Sequence, residues 1–318
     1  MQNKITPPSG GGGLFAVMDL GTNTFHLLIA EGRIDDFRKV VHQDIAVKLG
    51  EGGINKGIIM PAAFERGLAT MKNFHQEIEA NNVRQVKAIA TSAIRNASNG
   101  NDFINGVRSE TGIEIEIING DREAEYIYRG VKATDILSAK NSLIIDIGGG
   151  SVEFIICNDE HLLWKQSFEI GAARLMERFH HTDPIPPAST EALDLYLENT
   201  LTDLFVAVKQ TPVNNIIGSS GAFETFAELI ESERTDLFDL EKIKAYNFDE
   251  EELLIITDQL IRSSHAERLA NKGIIPVRVD MIVVAALFTR YMMQRLAIKN
   301  VQLCTYSLKE GVLAEMML

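Results

Sequence analysis

The feature that most constrains this chain is a repeat. MDLGTNTFHLLI, Met18 to Ile29, returns in outline as IDIGGGSVEFII, Ile145 to Ile156. Asp19 and Asp146, Gly21 and Gly148, and Thr24 and Ser151 are each 127 positions apart. In both copies an acid ends an apolar run, small residues follow, and a hydroxyl opens a second apolar run. Short apolar runs bounded by Gly, Asn, Ser and Thr read as buried strands joined by a tight turn. Two such hairpins in one chain call for two similar lobes.

The turns also suggest chemistry. A bend of Gly, Ser and Thr exposes backbone N–H groups with no side chains in the way, and such a nest suits an anion. The flanking carboxylates would repel a bare phosphate. They make sense if they hold a divalent cation through water or orient a nucleophilic water. One copy alone would read most simply as an ordinary hairpin turn; two copies weigh against that reading.

The rest of the chain alternates strands and helices, which favours α/β layers. Gly10 to Gly13 read as a lead-in to a strand at Leu14 to Met18, with a second strand at Phe25 to Ala30. PAAFERGLATMKNFHQEIEA places Phe64, Leu68, Met71 and Ile78 on one helical face after Pro61, a favoured helix start. A strand follows at Val86 to Ala90, and Ile113 to Gly120 alternates like a half-buried strand. Ala124, Ile127, Tyr128 and Val131 recur at helical spacing. The second half repeats this grammar, with strands at Leu143 to Ile147, Val152 to Cys157 and His161 to Phe168. A helical stretch spans Glu191 to Lys209, and IIGSSGAFET, Ile216 to Thr225, is a third glycine turn opening a helix. The best boundary falls after the helix ending near Val131. The expected lobes are residues 1–132 and 133–305, with a C-terminal helix at about 306–318 returning to the first.

The chain has 318 residues, 45% of them hydrophobic, and a net charge of −13. That is enough for a sizeable core and about two domains. The acidic balance and the lack of a Lys/Arg run argue against a surface for long nucleic acid, though not against a local phosphate pocket. Cys157 and Cys304 lie in apolar runs and read as core thiols of a reducing compartment. The opening MQNKITPPSGGGG lacks the apolar stretch of a secretory leader, and no apolar run reaches the roughly 18 residues of a membrane span. VDMIVVAALFTRYMMQRLA, broken by Asp280 and Arg290, reads as a buried helix. The cytoplasm is the expected location.

The two hairpins resemble those of the sugar-kinase, Hsc70 and actin superfamily. That resemblance implies two ribonuclease-H-like α/β lobes with an interdomain cleft. Further stretches narrow it: ATSAIR (Ala90 to Arg95), INGDREAEYIYRGV (Ile118 to Val131), the turn at Gly218 to Gly221, and GAARL, RVDMI and KEGVL. With the hairpins, these resemble the exopolyphosphatase and guanosine pentaphosphate phosphohydrolase (Ppx/GppA) family. The resemblance implies that Glu123 is the catalytic base, and that Asp146 and Glu153 support Mg²⁺ (or Mn²⁺) and the attacking water. Asp19 would either join the metal site or only order its turn. Phosphate would be held by Asn23, Thr24, Arg95, Gly148, Gly149, Gly150 and Ser151. Gly218, Ser219, Ser220 and Gly221 would meet a phosphate farther along the substrate.

Arg122 stands beside Glu123 where the family usually has an acid, and either aids phosphate binding or is solvated. Lys48 stands where an arginine is common, which would lose a bidentate phosphate contact. His26 is expected to pack and hydrogen-bond within its lobe. The expected activity is Mg²⁺-dependent removal of the terminal phosphate of inorganic polyphosphate. Short chains are expected, because the chain has no room for the extra C-terminal helical domain of long members. A guanosine pentaphosphate 5′-phosphohydrolase is the alternative within the same chemistry. An ATP-dependent kinase or a nucleotide-binding structural protein is the alternative outside it. The resemblance is also compatible with a homodimer, whose longer groove would suit a polymer.

Overall fold

The computed structural model describes residues 13–34, 36–232, 234 and 238–318. Most of the glycine lead-in, Gly10 to Gly12, lies outside them. The first sheet holds β1 (Leu14–Leu20), β2 (Thr24–Arg33), β3 (Asp36–Ala46), β4 (Gln85–Ala90) and β5 (Ile115–Ile117), in the order β3-β2-β1-β4-β5. Its helices are α1 (Pro61–Ala80), α2 (Ser92–Arg95), α3 (Gly100–Thr111) and α4 (Gly120–Lys132). The second sheet holds β6 (Ser142–Ile147), β7 (Val152–Cys157), β8 (Leu162–Phe168), β9 (Asn215–Ser219), β10 (Ala245–Asn247) and β11 (Val301–Cys304), in the order β10-β11-β9-β6-β7-β8. With it come α5 (Ala172–Phe179), α6 (Pro187–Thr200), α7 (Thr202–Gln210), α8 (Gly221–Ser232), α9 (Glu250–Arg262), α10 (His265–Ala270), α11 (Met281–Leu296) and α12 (Leu308–Met316).

The repeat in the sequence is therefore a repeat of topology. In each lobe three strands form an antiparallel meander, and the first of them pairs in parallel with a later strand, β4 or β9. Asp19 lies opposite His26 across the first hairpin, and Asp146 lies opposite Glu153 across the second. The 127-residue offset thus extends to His26 and Glu153, which occupy matching places.

Each lobe has its own core. In the first, Phe25 and Phe64 meet Phe103 edge-on, with ring centroids 6.2 and 5.2 Å away, and Met18, Leu27 and Phe74 pack beside them. In the second, β6 and β7 are buried along their whole length under Phe226, Phe288 and their neighbours. Ile282 to Thr289 of α11 are buried, as expected of an internal helix. Among the described residues, no helix is long and apolar enough to cross a membrane.

Three elements differ from the sequence reading. Strand β3 carries no apolar run, because it is a largely half-exposed edge strand. The expected strand Ile113–Gly120 shortens to Ile115–Ile117, because Asn119 turns to cap α4 and accepts a hydrogen bond from Arg122 N at 2.8 Å. The single helix Glu191–Lys209 is two helices that meet at Leu201.

A third core lies between the sheets. Val17 and Ile89 come from the first sheet, Ile144, Ile155 and Ile217 from the second, and Ala124, Ile127, Leu308 and Val312 from α4 and α12. Helix α4 follows the first sheet in the chain yet packs on β7 and β8; α12 follows the second sheet and packs on β1 and on α4. The crossing is close because two glycines sit in it. A β-carbon at Gly130 would overlap Ser307 O, and one at Gly311 would overlap Tyr126 O. Overpacking a tight contact typically costs about 1–3 kcal/mol. Gly311→Ala is expected to lower unfolding stability by about that amount, read as a lower urea midpoint at unchanged slope. An unchanged midpoint would mean that the two helices separate freely.

Candidate active site

The two glycine bends face each other across the cleft and touch. A β-carbon at Gly149 would overlap Asn23 Nδ2, and one at Gly150 would lie 2.5 Å from Ser92 Oγ and 2.6 Å from Thr22 Oγ1. Only glycine permits this approach. Each bend is braced from behind by its own lobe. Lys48 N and Gly50 N donate to Asn23 O and Thr22 O at 2.7 and 3.0 Å. In the second lobe Gly171 N, Ala172 N and Ala173 N donate to the carbonyls of Gly150, Gly148 and Gly149 at 3.1, 2.8 and 2.9 Å. Gly21 N is itself taken by Thr24 O at 3.1 Å, so the bends are held from within as well as from behind.

A cavity of about 190 Å³ opens beside this contact, lined by residues of both lobes. Asp19, Asn23, Thr24, Glu123, Asp146, Gly148, Gly149, Gly150, Ser151, Glu153, Ser220 and Gly221 all reach it. Gly218 and Ser219 do not. Gly218 is closed off by the Phe223 ring, and Ser219 Oγ donates to Tyr306 O at 3.3 Å. Arg95 is not on the cavity wall either. Its Nη1 donates to Glu123 Oε2 at 2.8 Å and to Ile118 O at 3.1 Å, and its Nη2 donates to Glu169 Oε1 at 3.1 Å. Arg122 turns away from the site: its guanidinium lies 4.3 Å from the Tyr126 ring centre and donates to Glu315 Oε2 at 2.6 Å.

Three buried carboxylates, Glu123, Asp146 and Glu153, and the half-buried Asp19 thus gather round one small space. Burial pushes Asp19 above its ordinary range and Asp146 to about 6. Burial, aided by Asp19 and Asp146, lifts Glu123 to about 8 against the pull of Arg95. Glu153 is raised well above the usual value by burial and by Glu123 and Asp146, although Ser167 Oγ donates to its Oε1 at 2.6 Å. Like charges so close disfavour ionisation of them all, and a bound cation would relieve the repulsion. Asp19 Oδ1 is buried without a hydrogen-bond partner among the described residues. That orphan oxygen and the all-oxygen donor set fit a hard divalent cation such as Mg²⁺ or Mn²⁺. Among the described residues no group of three or more His, Cys, Asp or Glu side chains is arranged to hold a metal ion together. Mg²⁺ needs none: it usually takes one or two carboxylates, keeps several waters and shares a substrate phosphate.

Several groups on the cavity wall escape the sequence reading, among them Asp44, Glu224, Arg278, His26 and Lys309. His26 hydrogen-bonds within its lobe as expected, its Nδ1 2.6 Å from Asp44 Oδ1, and it also lines the cavity. The signal was available, because the 127-residue offset pairs His26 with Glu153. Lys309 is another. Burial would lower its pKa, but the carboxylates of Glu310, Asp44, Glu224 and Asp19 outweigh burial and hold the ammonium charged. The KEGVL stretch showed a lysine but not that α12 carries it into the cleft.

A family model described as the Ppx/GppA phosphatase family matches residues 28–318. The crystal structure of an exopolyphosphatase from Cytophaga hutchinsonii superposes with a TM-score of 0.93 at 40% identity, covering 96% of this chain and 97% of that one. A bifunctional 3-dehydroquinate synthase/phosphatase of Fusobacterium nucleatum is 33% identical over 282 residues; the match spans 85% of this chain but 41% of that protein. Exopolyphosphatase 1 of Mycobacterium leprae is 27% identical over 303 residues, spanning 93% of this chain and 87% of that protein.

The contact between the bends can be tested without turnover. Gly150→Ala pushes a methyl group against Thr22 and Ser92 and must part the bends. It is expected to leave the folded state intact while weakening orthophosphate binding, read as ligand-induced thermal shift, by tenfold or more. Equal affinity in the variant would show that the bends do not jointly hold the anion.

Proposed function

The chain belongs to the Ppx/GppA phosphatase family, and from that premise we propose that it is an exopolyphosphatase. Its substrate is inorganic polyphosphate, with short chains preferred, and its product is orthophosphate from the chain end. The observation that carries this reading is the setting of Glu123. It is buried, it reaches the cavity that both glycine bends line, and only its Oε2 is taken by Arg95. No protein donor among the described residues is bonded to Oε1. A carboxylate with one free oxygen beside an anion cradle is placed to activate water, where a kinase would need room for an acceptor.

Phosphoryl transfer of this kind is mostly positioning and charge stabilisation. The bend amides, Thr24 and Ser151 hold the terminal phosphate. Glu123 takes the proton of the attacking water; the new P–O bond forms to that oxygen as the anhydride P–O bond on the far side breaks. Burial makes Glu123 a stronger base than an exposed glutamate. Lys309, held charged in the cavity, offsets the negative charge of the departing chain. One or two of Asp146, Glu153 and Asp19 would hold the divalent cation, which when bound supplies neutralisation of the phosphate charge. The small cavity and its acidic wall favour a short chain over a long polyanion laid along the surface.

Phosphate release from short polyphosphate, long polyphosphate, guanosine pentaphosphate and ATP, with and without Mg²⁺, tests the reading. Release is expected to be fastest from short polyphosphate, abolished by a chelator and restored by Mg²⁺ or Mn²⁺. Release confined to guanosine pentaphosphate would assign the nucleotide activity instead, and ATP consumption only with an added sugar would assign a kinase. Glu123→Gln is expected to lower kcat by about 10²–10⁴-fold while substrate-induced thermal stabilisation persists. A variant of undiminished rate would remove Glu123 from the base role.

A further inference from the structure

A chain of hydrogen bonds runs from the second lobe's glycine bend to Glu123 in the first lobe, and its central member has no part in the chemistry above. Arg174 of α5 donates through Nε to Gly150 O at 2.8 Å and through Nη2 to Glu169 Oε2 at 2.9 Å. Glu169 lies between β8 and α5 and so moves with the second lobe. Its other partners belong to the first lobe. Ser92 Oγ donates to Glu169 Oε2 at 2.6 Å, and Arg95 Nη2 donates to Glu169 Oε1 at 3.1 Å. Arg95 Nη1 then holds Glu123 Oε2 at 2.8 Å.

The Arg95 guanidinium is planar, so fixing one end of its fork fixes the other. Glu169 and Ile118 O therefore set the angle at which Arg95 grips Glu123 Oε2, and so where Oε1 points. Without Glu169, Arg95 loses the anchor on its far nitrogen, and the guanidinium plane whose Nη1 grips Glu123 Oε2 is no longer fixed. The anchor exists only while the lobes are together. The same edge of the cleft is clasped nearby, where Arg174 Nη1 donates to Ile54 O at 2.7 Å and Asn55 Nδ2 donates to Glu177 Oε2 at 3.0 Å.

We propose that Glu169 is a positioning residue that ties closure of the two lobes to the orientation of Glu123, acting through Arg95. This rests on the reading of Glu123 as the base. Glu169 is not among the residues lining the cavity, and its side chain is 43% exposed.

The test uses the full chain and three variants, Glu169→Ala, Glu169→Gln and Glu169→Asp, assayed on short polyphosphate, with a crystal structure of Glu169→Ala. Loss of alignment at a reacting centre costs up to about a hundredfold. Glu169→Ala is expected to lower kcat about ten- to a hundredfold with KM within twofold of the parent. Glu169→Gln should fall between, and Glu169→Asp should recover part of the rate. The crystal structure should show the Arg95 guanidinium turned and its Nη1 contact to Glu123 Oε2 lengthened or lost. A purely structural role would lower thermal stability without this split, and a phosphate-binding role would raise KM. A kcat within twofold of the parent, or an unchanged Arg95–Glu123 contact in the variant, overturns the proposal. If the parent itself releases no phosphate, the functional reading fails on that result, while the Arg95–Glu123 contact in the variant crystal still decides whether Glu169 sets the base.

Discussion

The approach of two main-chain bends, Thr22–Asn23 from one lobe and Gly149–Gly150 from the other, is the contact on which the rest of the molecule depends. Each lobe alone offers an ordinary hairpin turn. Brought together, the turns form a space walled by backbone amides, and the strand ends carry Asp19 and Asp146 to its rim. The approach requires side chains to be absent at Gly149 and Gly150. It also requires something to hold two separately cored lobes in register.

Two helices do the holding. The third core is built from both sheets and from α4 and α12, each of which packs on strands of the lobe it does not follow in the chain. The exchange has a chemical consequence. Glu123 lies in the first turn of α4, so the helix that locks the lobes together also delivers the proposed base. Burying Glu123 beside Asp19, Asp146 and Glu153 opposes folding, because none of these carboxylates ionises freely there. The apolar seam between the sheets and the partners Arg95, Ser167 and Lys309 offset that cost. A site this unfavourable to its own charges is preorganised for a cation and a phosphate together.

Much of this was legible in the residues. The spacing of Asp19 and Asp146, Gly21 and Gly148, and Thr24 and Ser151 read directly as two hairpins, and the sheets carry them in matching places. Local chemistry also placed α1 after Pro61 and the turn before α8. What escaped needed the third dimension. β3 is an edge strand with polar residues on much of its surface, so no apolar run marked it. Arg95 sat in a motif that implied phosphate contact, whereas its fork is occupied by Glu123, Ile118 O and Glu169, the last from another lobe. His26 bonds within its lobe as expected, but its register across from Asp19 also puts it on the cavity wall. Contacts made between lobes leave no periodicity in a sequence, and this site is made of them.

The central claim is that one phosphoryl group is held by both bends at once, with water on Glu123. The most direct measurement is a crystal structure of the full chain with a tetrahedral oxyanion such as tungstate. The account predicts the anion between the bends, within hydrogen-bond reach of amides from both lobes, and an ordered water between it and Glu123 Oε1. An anion bound to one lobe alone, or held by side chains outside the cleft with Glu123 facing away, would contradict it.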